Sequence, residues 1–515
     1  MMRKLLLLLF FVTSVTVSAQ TTKLSALSSA DFLSSKIVYD DNGNDVYGYF
    51  LLYQKDKKSK GNFELEYVLL DKNLNKMASG TFAQQRATSM FVDFTTELLY
   101  VKKLGDKIYF SLGDVMKGYE DIYDMFGLYG LRTLDLKDFK VSEVTYMRNF
   151  APAYGDITKM KRKEMDEFQY MKPTQNNGFV VFEESVMDIS MRVFMGKRNA
   201  RNIRKFRFYD MDLKEKWSYE YKETGDKSFY EYNYFGGEGN DMVFFKEFYE
   251  KASDRHSDIS YEFFDVQSGK KKFEIRVNDT QNLLRVRRIL FEENKVIVFA
   301  ATNDFNNKDN FAADKITGYA KITYDRATGK ELGRSYFKWE QLADKLEIDA
   351  YGKIKSYGFI HFLDYKRTTD GKTIVIGEGF SVKGGSEIRD LFTFVFDDNM
   401  KLVDYQVINK LKNGVPAIGY GTYLQSIGAF DYMYSQKLPG DGYVFYYADN
   451  EKKSKKNPSW VLGIVTYVDG AFSTQKVTLT TQKGQIYPLK AKNGYILLRE
   501  DTDKDSELRL EKINY

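Results

Sequence analysis

A module that recurs about eight times constrains this chain more than any single residue does. Each copy has a turn containing Gly, Asn or Asp, a short apolar run, a loop, and a second run that ends in an aromatic-Asp turn. The first runs are Asn42–Tyr53, Gly105–Phe110, Asn176–Phe182, Gly239–Phe245, Glu293–Phe299, Asp370–Ile376, Gly440–Tyr446 and Lys492–Leu498. The second runs include Tyr67–Lys76, Leu131–Lys140, Phe206–Trp217, Tyr261–Lys271, Lys321–Leu332, Phe392–Val403 and Ile464–Ser473. Such a repeat indicates one supersecondary unit copied along the chain.

A further strand precedes each first run and another follows the aromatic-Asp turn, so the unit has four antiparallel strands, a to d. Units of this kind resemble the blades of a β-propeller. The expected fold is therefore an all-β propeller, with eight blades favoured over seven and two stacked sandwiches as the alternative architecture. The last unit ends after its third strand. We expect a strand near Lys23–Leu27 to complete it and remove the free edge.

Insertions concentrate in the b–c and d–a connections, which emerge on one face of a propeller. Two of them, Asp156–Met171 and Trp339–Ala350, have helical character and are expected to be short surface helices. Binding residues concentrate on variable loops carried by a rigid scaffold. This loop-rich face is therefore the expected site of function.

The first 19 residues have the pattern of a secretory signal. Arg3 and Lys4 precede an apolar segment, Leu5–Val12, and Ala19 ends a small-residue cleavage site. We expect residues 20–515 to form a single exported domain with no later membrane-spanning segment. Its destination would be the periplasm, the cell surface or the exterior.

Composition excludes several kinds of site. The chain has no Cys, which rules out disulfides, thiol nucleophiles and Cys metal sites. It has two histidines, His256 in a polar loop and His361 in an apolar strand, too few for a His-rich metal site. The GxSxG, P-loop and dinucleotide motifs are missing. The net charge of +5 over 515 residues does not point to nucleic acid.

The candidate ligand-binding residues lie on insertions of the loop-rich face. They are the aromatic residues Trp460, Tyr420, Tyr423 and Tyr154 and the basic residues Lys197 and Arg198. Aromatic rings offer apolar contact area to a sugar or peptide at low entropic cost, and a basic cluster attracts anionic surfaces. The alternatives are core packing for each aromatic residue and a solvated lysine-rich surface for the basic ones.

Asp501, Asp503 and Asp505 form the candidate metal segment. Alternating carboxylates on a loop resemble the first half of a calcium loop, because Ca²⁺ prefers oxygen ligands. The segment departs from the EF-hand pattern, since Ser506 replaces the turn glycine and Lys512 the final glutamate. An acidic hairpin tip without an ion is the alternative, and no other cofactor is expected.

The chain resembles uncharacterised exported propeller proteins of Gram-negative bacteria, and that resemblance extends to the fold alone. The sequence favours a non-enzymatic binding or scaffold protein that meets a protein or glycan at the cell envelope. The alternative is an exported carbohydrate-active hydrolase with paired carboxylates near the central channel.

Overall fold

The computed structural model describes most of the chain from Gln20 onward. The described residues are 20–43, 45–59, 62–86, 94–116, 128, 130–146, 171–182, 203–222, 228–250, 258–304, 316–355, 358–382, 385–415, 419–438, 440–452, 458–479, 484–502 and 505–513. No helix within these ranges has the length and apolar character needed to cross a membrane.

Within these ranges, thirty-four β-strands make up nearly all of the regular structure. The strands up to the middle of the chain are β1 Gln20–Lys23, β2 Asp31–Tyr39, β3 Val46–Ser59, β4 Asn62–Asp71, β5 Lys76–Gln85, β6 Phe94–Leu104, β7 Lys107–Met116, β8 Gly130–Asp135, β9 Thr145–Tyr146, β10 Lys172–Thr174, β11 Gly178–Phe182, β12 Ile203–Asp210, β13 Glu215–Lys222, β14 Phe229–Glu238, β15 Asp241–Tyr249, β16 Asp258–Asp265 and β17 Lys271–Ile275. The remaining strands are β18 Asn282–Phe291, β19 Lys295–Asp304, β20 Gly318–Asp325, β21 Glu331–Lys338, β22 Lys353–Ile354, β23 Gly358–Arg367, β24 Thr373–Ser381, β25 Ser386–Phe396, β26 Leu402–Ile408, β27 Asn413–Val415, β28 Tyr432–Lys437, β29 Tyr443–Lys452, β30 Pro458–Val468, β31 Ala471–Leu479, β32 Gly484–Lys490, β33 Tyr495–Thr502 and β34 Ser506–Lys512.

These strands form eight antiparallel sheets, which are the predicted blades. Blades 1 to 5 are β2–β5, β6–β9, β10–β13, β14–β17 and β18–β21, and blades 6 to 8 are β23–β26, β28–β31 and β32–β34 with β1. Blade 6 is extended by β22 and by β27, which pairs with β25. The eight-blade propeller expected from the repeat is therefore confirmed.

The buried core shows that the blades close into a ring. Eight hydrophobic clusters each join the facing sides of two neighbouring blades, and together they cover all eight contacts of the ring. The blade 8–blade 1 cluster contains Leu497 and Leu508 beside Leu51 and Tyr53. A sheet that is apolar on both of its faces must bury both of them, and here each blade does so by packing between its two neighbours.

The N-terminal strand closes the ring, as expected. β1 pairs antiparallel with β34, with Gln20 opposite Leu510 and Lys23 opposite Glu507. Its position differs from the prediction, since Leu24–Leu27 forms one helical turn, α1, rather than a strand. Leu24 is buried among blade 1 side chains, which accounts for the change of direction at this residue.

The aromatic-Asp turns of the repeat have a structural role. In blade 1 the Asp71 carboxylate accepts hydrogen bonds from the amides of Asn73 and Asn75, both at 2.8 Å. Asp210, Asp325 and Asp397 accept backbone amides in the same way. Asp side chains stabilise turns by replacing a backbone acceptor, so these carboxylates mark the c–d turn.

In the described part of the chain three short helical segments interrupt the strands, and two of them bear on the predicted helices. Trp339–Leu342 is a 3₁₀ turn that continues into α2, Ala343–Leu346. The predicted helix at this insertion is confirmed, but it is not simply a surface helix, because Trp339 and Leu342 are fully buried. A further helix, α3 (Gly421–Ser426), was not predicted. Of the other predicted helix, residues 156–170 lie outside the described residues.

Candidate functional site

The insert between blades 6 and 7 brings two of the predicted binding residues together. It runs from Asn409 to Asp431, between β26 and β28, and contains β27 and α3. Tyr420 precedes α3 and is 38% exposed, Tyr423 lies within it at 49%, and Ile427 follows it at 45%. Residues spaced by three and four positions share one face of a helix. We call these three side chains the aromatic patch.

The other predicted binding residues are not brought to this patch by the described structure. Trp460 lies in β30, where its backbone pairs with Asn450 and Leu479, and its side chain is outside the described part. Tyr154, Lys197 and Arg198 also lie outside the described residues. Their proposed role remains a prediction.

Apolar packing fixes α3 against blade 6. Leu424, which follows Tyr423 in α3, is fully buried with Phe359, Phe380 and Ile388. Burying a leucine side chain in this way stabilises the folded state by about 1.5–3 kcal/mol relative to leaving the side chain exposed to water. The patch therefore rests on a helix with a buried anchor.

Hydrogen bonds hold the same helix from both sides. Nε2 of His361, in the first strand of blade 6 (β23), lies 2.9 Å from Oε1 of Gln425. The His361 ring also stacks on Phe430, with the centroids 5.5 Å apart and the planes 6° apart. Arg287, in the first strand of blade 5 (β18), donates from Nη1 to Oγ1 of Thr422 at 2.8 Å. His361 is thus a buried, hydrogen-bonded strand residue, while His256 lies outside the described residues.

A buried group of charges joins the two ends of the insert. Lys410 at its beginning donates to Asp431 at its end, with 2.8 Å between Nζ and Oδ2, and also to Oε1 of Glu378 in β24. Glu378 accepts the Tyr432 amide through its other oxygen at 3.2 Å, and Asn413 donates to Asp431 at 2.9 Å. We call Lys410, Glu378 and Asp431 the ionic clamp.

The pKa values of two members of the ionic clamp, Glu378 and Lys410, are both raised. Burial raises the pKa of Glu378 to about 7, although the neighbouring Lys410 opposes this change. Burial lowers the pKa of Lys410, but the two carboxylates outweigh it and the net change is upward. Lys410 therefore stays charged at physiological pH, whereas Glu378 titrates near neutrality.

No sequence signal pointed to the ionic clamp. Its members come from β24 and from the two ends of an insert, and Lys410 and Asp431 are 21 positions apart. Charged residues are common throughout the chain, with 77 Lys and Arg and 72 Asp and Glu, so composition did not single these three out. Only the folding of blade 6 against blade 7 reveals them.

The predicted metal residues are engaged in other contacts where they can be described. The Asp501 carboxylate pairs with Arg499, with Oδ2 2.8 Å from Nη2. The Asp505 carboxylate accepts the Ser25 amide at 3.2 Å and the Ser25 hydroxyl at 2.5 Å, which ties α1 to blade 8. Asp503 lies outside the described residues, among which no group of three or more His, Asp or Glu is placed to hold a metal. The calcium site remains a hypothesis.

The solved structures that are similar to this chain have low sequence identity to it. The β-propeller domain of the Trilobed protease from Pyrococcus furiosus has a TM-score of 0.33 and 9% identity, over 88% of this chain and 96% of that one. Kluyveromyces lactis Hsv2 has a TM-score of 0.32 and 8% identity, over 87% and 98%. The α-L-arabinofuranosidase Arb93A from Fusarium graminearum has a TM-score of 0.28 and 9% identity, over 66% and 91%. With TM-scores this low, these matches carry no argument about what the protein does.

Comparison by sequence gives a family but no activity. No curated protein matches the chain. The model of a family described as "Family of unknown function (DUF6770)" matches residues 1–514. Since this match spans nearly the whole sequence, the chain belongs to the DUF6770 family.

Proposed function

We propose that this protein is an exported, non-enzymatic binding or scaffold protein that holds a protein or glycan on the loop-rich face of its propeller. The aromatic patch of Tyr420, Tyr423 and Ile427 would be a contact surface for that ligand. The observation that carries this proposal is the combination of exposed aromatic rings with a buried support beneath them. The ligand would meet a surface that is already in place.

A preorganised patch favours binding for a thermodynamic reason. Immobilising a flexible side chain at an interface costs about 0.5–1.5 kcal/mol, and ordering a loop costs more. Here Leu424, the contact between His361 and Gln425, and the ionic clamp fix the insert before any ligand arrives. The binding energy of the two tyrosines is then available for affinity.

Hydrolysis is the less supported alternative. A glycosidase needs two carboxylates facing one cavity, whereas the turn carboxylates described above accept backbone amides. Glu378, whose raised pKa would suit a general acid, is fully buried and bound to Lys410.

Export is the part of the proposal that rests on sequence alone. The charged and apolar segments within residues 1–19 support it, and so does a small-residue cleavage site before Gln20. Fractionation of the expressing cells, followed by N-terminal sequencing, tests it directly. A mature chain that begins at Gln20 outside the cytoplasm is expected, and a cytoplasmic protein that retains Met1 would refute it.

Capture of envelope components by the mature protein tests the binding function. The double variant Tyr420→Ala/Tyr423→Ala should lose captured protein, or signal on a glycan array, by at least about 10-fold, since each aromatic contact contributes roughly 1 kcal/mol or more. Leu332→Ala is the matched control, because Leu332 is 53% exposed on the outer strand of blade 5.

Three outcomes are distinguishable. Loss of capture in the double variant alone supports the aromatic patch. Equal capture by the double variant and the control refutes the patch as the contact surface. Cleavage of model glycosides without capture of any partner refutes the binding function and favours the hydrolase.

A further inference from the structure

Three strands of blade 4, β14, β15 and β16, bring polar and aromatic residues together at one end of the blade. At this end the d–a connection precedes β14 and the b–c connection follows β15.

A cavity of about 230 Å³ lies on this part of blade 4. Tyr230, Phe248 and Asp258 occupy consecutive strands in one row, because Phe248 is the register partner of both Tyr230 and Asp258. Lys246 and Ser260 are register partners in the next row. Directly opposed residues project from the same side of a sheet, so all five side chains line one cavity.

The apolar wall of the cavity is aromatic. The rings of Tyr230 and Phe248 have centroids 5.2 Å apart and planes inclined by 44°. The Lys246 ammonium lies 4.5 Å from the Tyr230 centroid. This cation–π contact fixes the ammonium beside the ring.

Among the described residues at the cavity, positive and negative charges are equal in number. Glu262 is fully buried beneath it and accepts from Lys246 at 3.0 Å, Lys271 at 3.2 Å and the Tyr232 hydroxyl at 3.2 Å. At the rim, Arg276 lies 3.6 Å from Glu274 and is 69% exposed. With Asp258, three cations face three carboxylates, so the cavity has polar groups of both kinds without a net charge that selects an anion.

We propose that this cavity is a binding site for one neutral sugar ring. Sugars present apolar C–H faces that pack on aromatic rings, and hydroxyls that both donate and accept hydrogen bonds. Tyr230 and Phe248 supply the first kind of contact. Lys246 and Arg276 supply donors, Asp258 an acceptor, and Ser260 both.

Size and position agree with this ligand class. The cavity is smaller than the roughly 300–1,000 Å³ of sites for drug-sized molecules, which suits a single sugar unit. It lies at the end of blade 4 that carries the b–c and d–a connections, and so on the loop-rich face. The site is separate from the aromatic patch, and its test can fail or succeed independently of the proposed function.

Saturation-transfer NMR with the mature protein tests the proposal. The probes are the methyl glycosides of glucose, galactose, mannose, xylose and arabinose, with glucuronate and galacturonate as charged counterparts. We expect saturable binding of at least one neutral glycoside, with a dissociation constant on the order of 1 mM, as small ligands of this size usually show.

Two variants assign the binding to the cavity. Tyr230→Ala removes the aromatic wall and should weaken binding at least 10-fold. Arg276→Ala changes an exposed side chain at the rim and should weaken binding several-fold without affecting the fold. Tyr420→Ala, in the aromatic patch, is the control and should leave sugar binding unchanged.

The remaining outcomes overturn the proposal. Binding of the uronates with no binding of the neutral glycosides would show an anion site instead. No saturable binding by any probe, or binding that survives both cavity variants, would also refute it. Unchanged thermal melting of Arg276→Ala shows that a loss of binding in that variant is not a loss of folding.

Discussion

Lys410→Met removes the ammonium group that neutralises two carboxylates at the base of the insert between blades 6 and 7. Methionine keeps an unbranched apolar stem, so the packing changes little. The side chains of Lys410 and Glu378 are fully buried, and that of Asp431 is 10% exposed. Breaking a buried ion pair on one side leaves an uncompensated charge. We therefore expect the free energy of opening the insert to fall by about 3–5 kcal/mol at about pH 8.5.

The size of this loss should depend on pH, because Glu378 can neutralise itself by taking up a proton. Its pKa is about 7 with Lys410 present, and losing the ammonium raises it further. When the pH falls from about 8.5 to 5.5, Glu378 of the folded variant is protonated over roughly 3 pH units, whereas Glu378 of the wild type is protonated only over roughly the last 1.5. The difference of roughly 1.5 pH units corresponds to about 2 kcal/mol. The stability lost through Lys410→Met should therefore be about 2 kcal/mol smaller at about pH 5.5 than at about pH 8.5.

Hydrogen exchange read by mass spectrometry, on peptides covering residues 410–431, measures this opening free energy. The control is Lys437→Met, which makes the same chemical change at an exposed position of β28. Equal protection of the insert in the two variants at about pH 8.5 would refute the ionic clamp. A penalty that grows as the pH falls would refute the assigned role of Glu378.

Three further predictions concern Glu378, Leu424 and two turn glycines. Because burial raises the pKa of Glu378, the stability that this raised pKa contributes is full below about pH 4.5 and is lost as the pH rises through about 7. Urea unfolding should therefore show the wild type losing about 3 kcal/mol of unfolding free energy relative to Glu378→Gln across that window. Parallel plots of unfolding free energy against pH for the two proteins would contradict this. Leu424→Ala should destabilise the insert by about 2–5 kcal/mol, seen as faster limited proteolysis within residues 410–431 while the melting of the ring is retained; unchanged cleavage would contradict the anchor role. Gly105→Ala and Gly269→Ala both place alanine at positive φ, at a cost of about 1–2 kcal/mol, but an added Cβ at Gly269 would lie 2.5 Å from the Trp217 ring, whereas Gly105 has open space. Gly269→Ala should therefore lower the melting temperature more, and equal melting would show that the indole moves aside freely.

The fold was predictable because its signals are local and repeated. Alternation of apolar runs with Gly, Asn and Asp turns specifies antiparallel strands within a few tens of residues. Each aromatic-Asp turn is stabilised within itself, as the hydrogen bonds to Asp71 show. The missing fourth strand of the last unit was also visible in sequence order. The exact position of β1 was not, since it depends on the burial of Leu24 against blade 1.

The candidate site was predictable in part. Tyr420 and Tyr423 stood out as aromatic residues in a Gly-rich insert, and the structure shows both exposed, Tyr420 just before a short helix and Tyr423 within it. The helix itself was missed, because a short Gly-containing segment has little intrinsic helicity and is formed here by tertiary contacts. The anchoring of Leu424 among Phe359 and Phe380 provides such a contact.

The sequence by itself determined the all-β class and favoured eight blades closed by the N-terminal segment, because strand periodicity and turn chemistry act between near neighbours in the chain. The tertiary structure decided where charges are buried and where a cavity remains. Glu378, Lys410 and Asp431 meet because blade 6 packs on blade 7. The sugar-sized cavity is lined by side chains of β14, β15 and β16, which the pairing of these strands places in adjacent rows. Both features depend on which side chains meet in the folded protein, and residues far apart in the chain give no local signal of this.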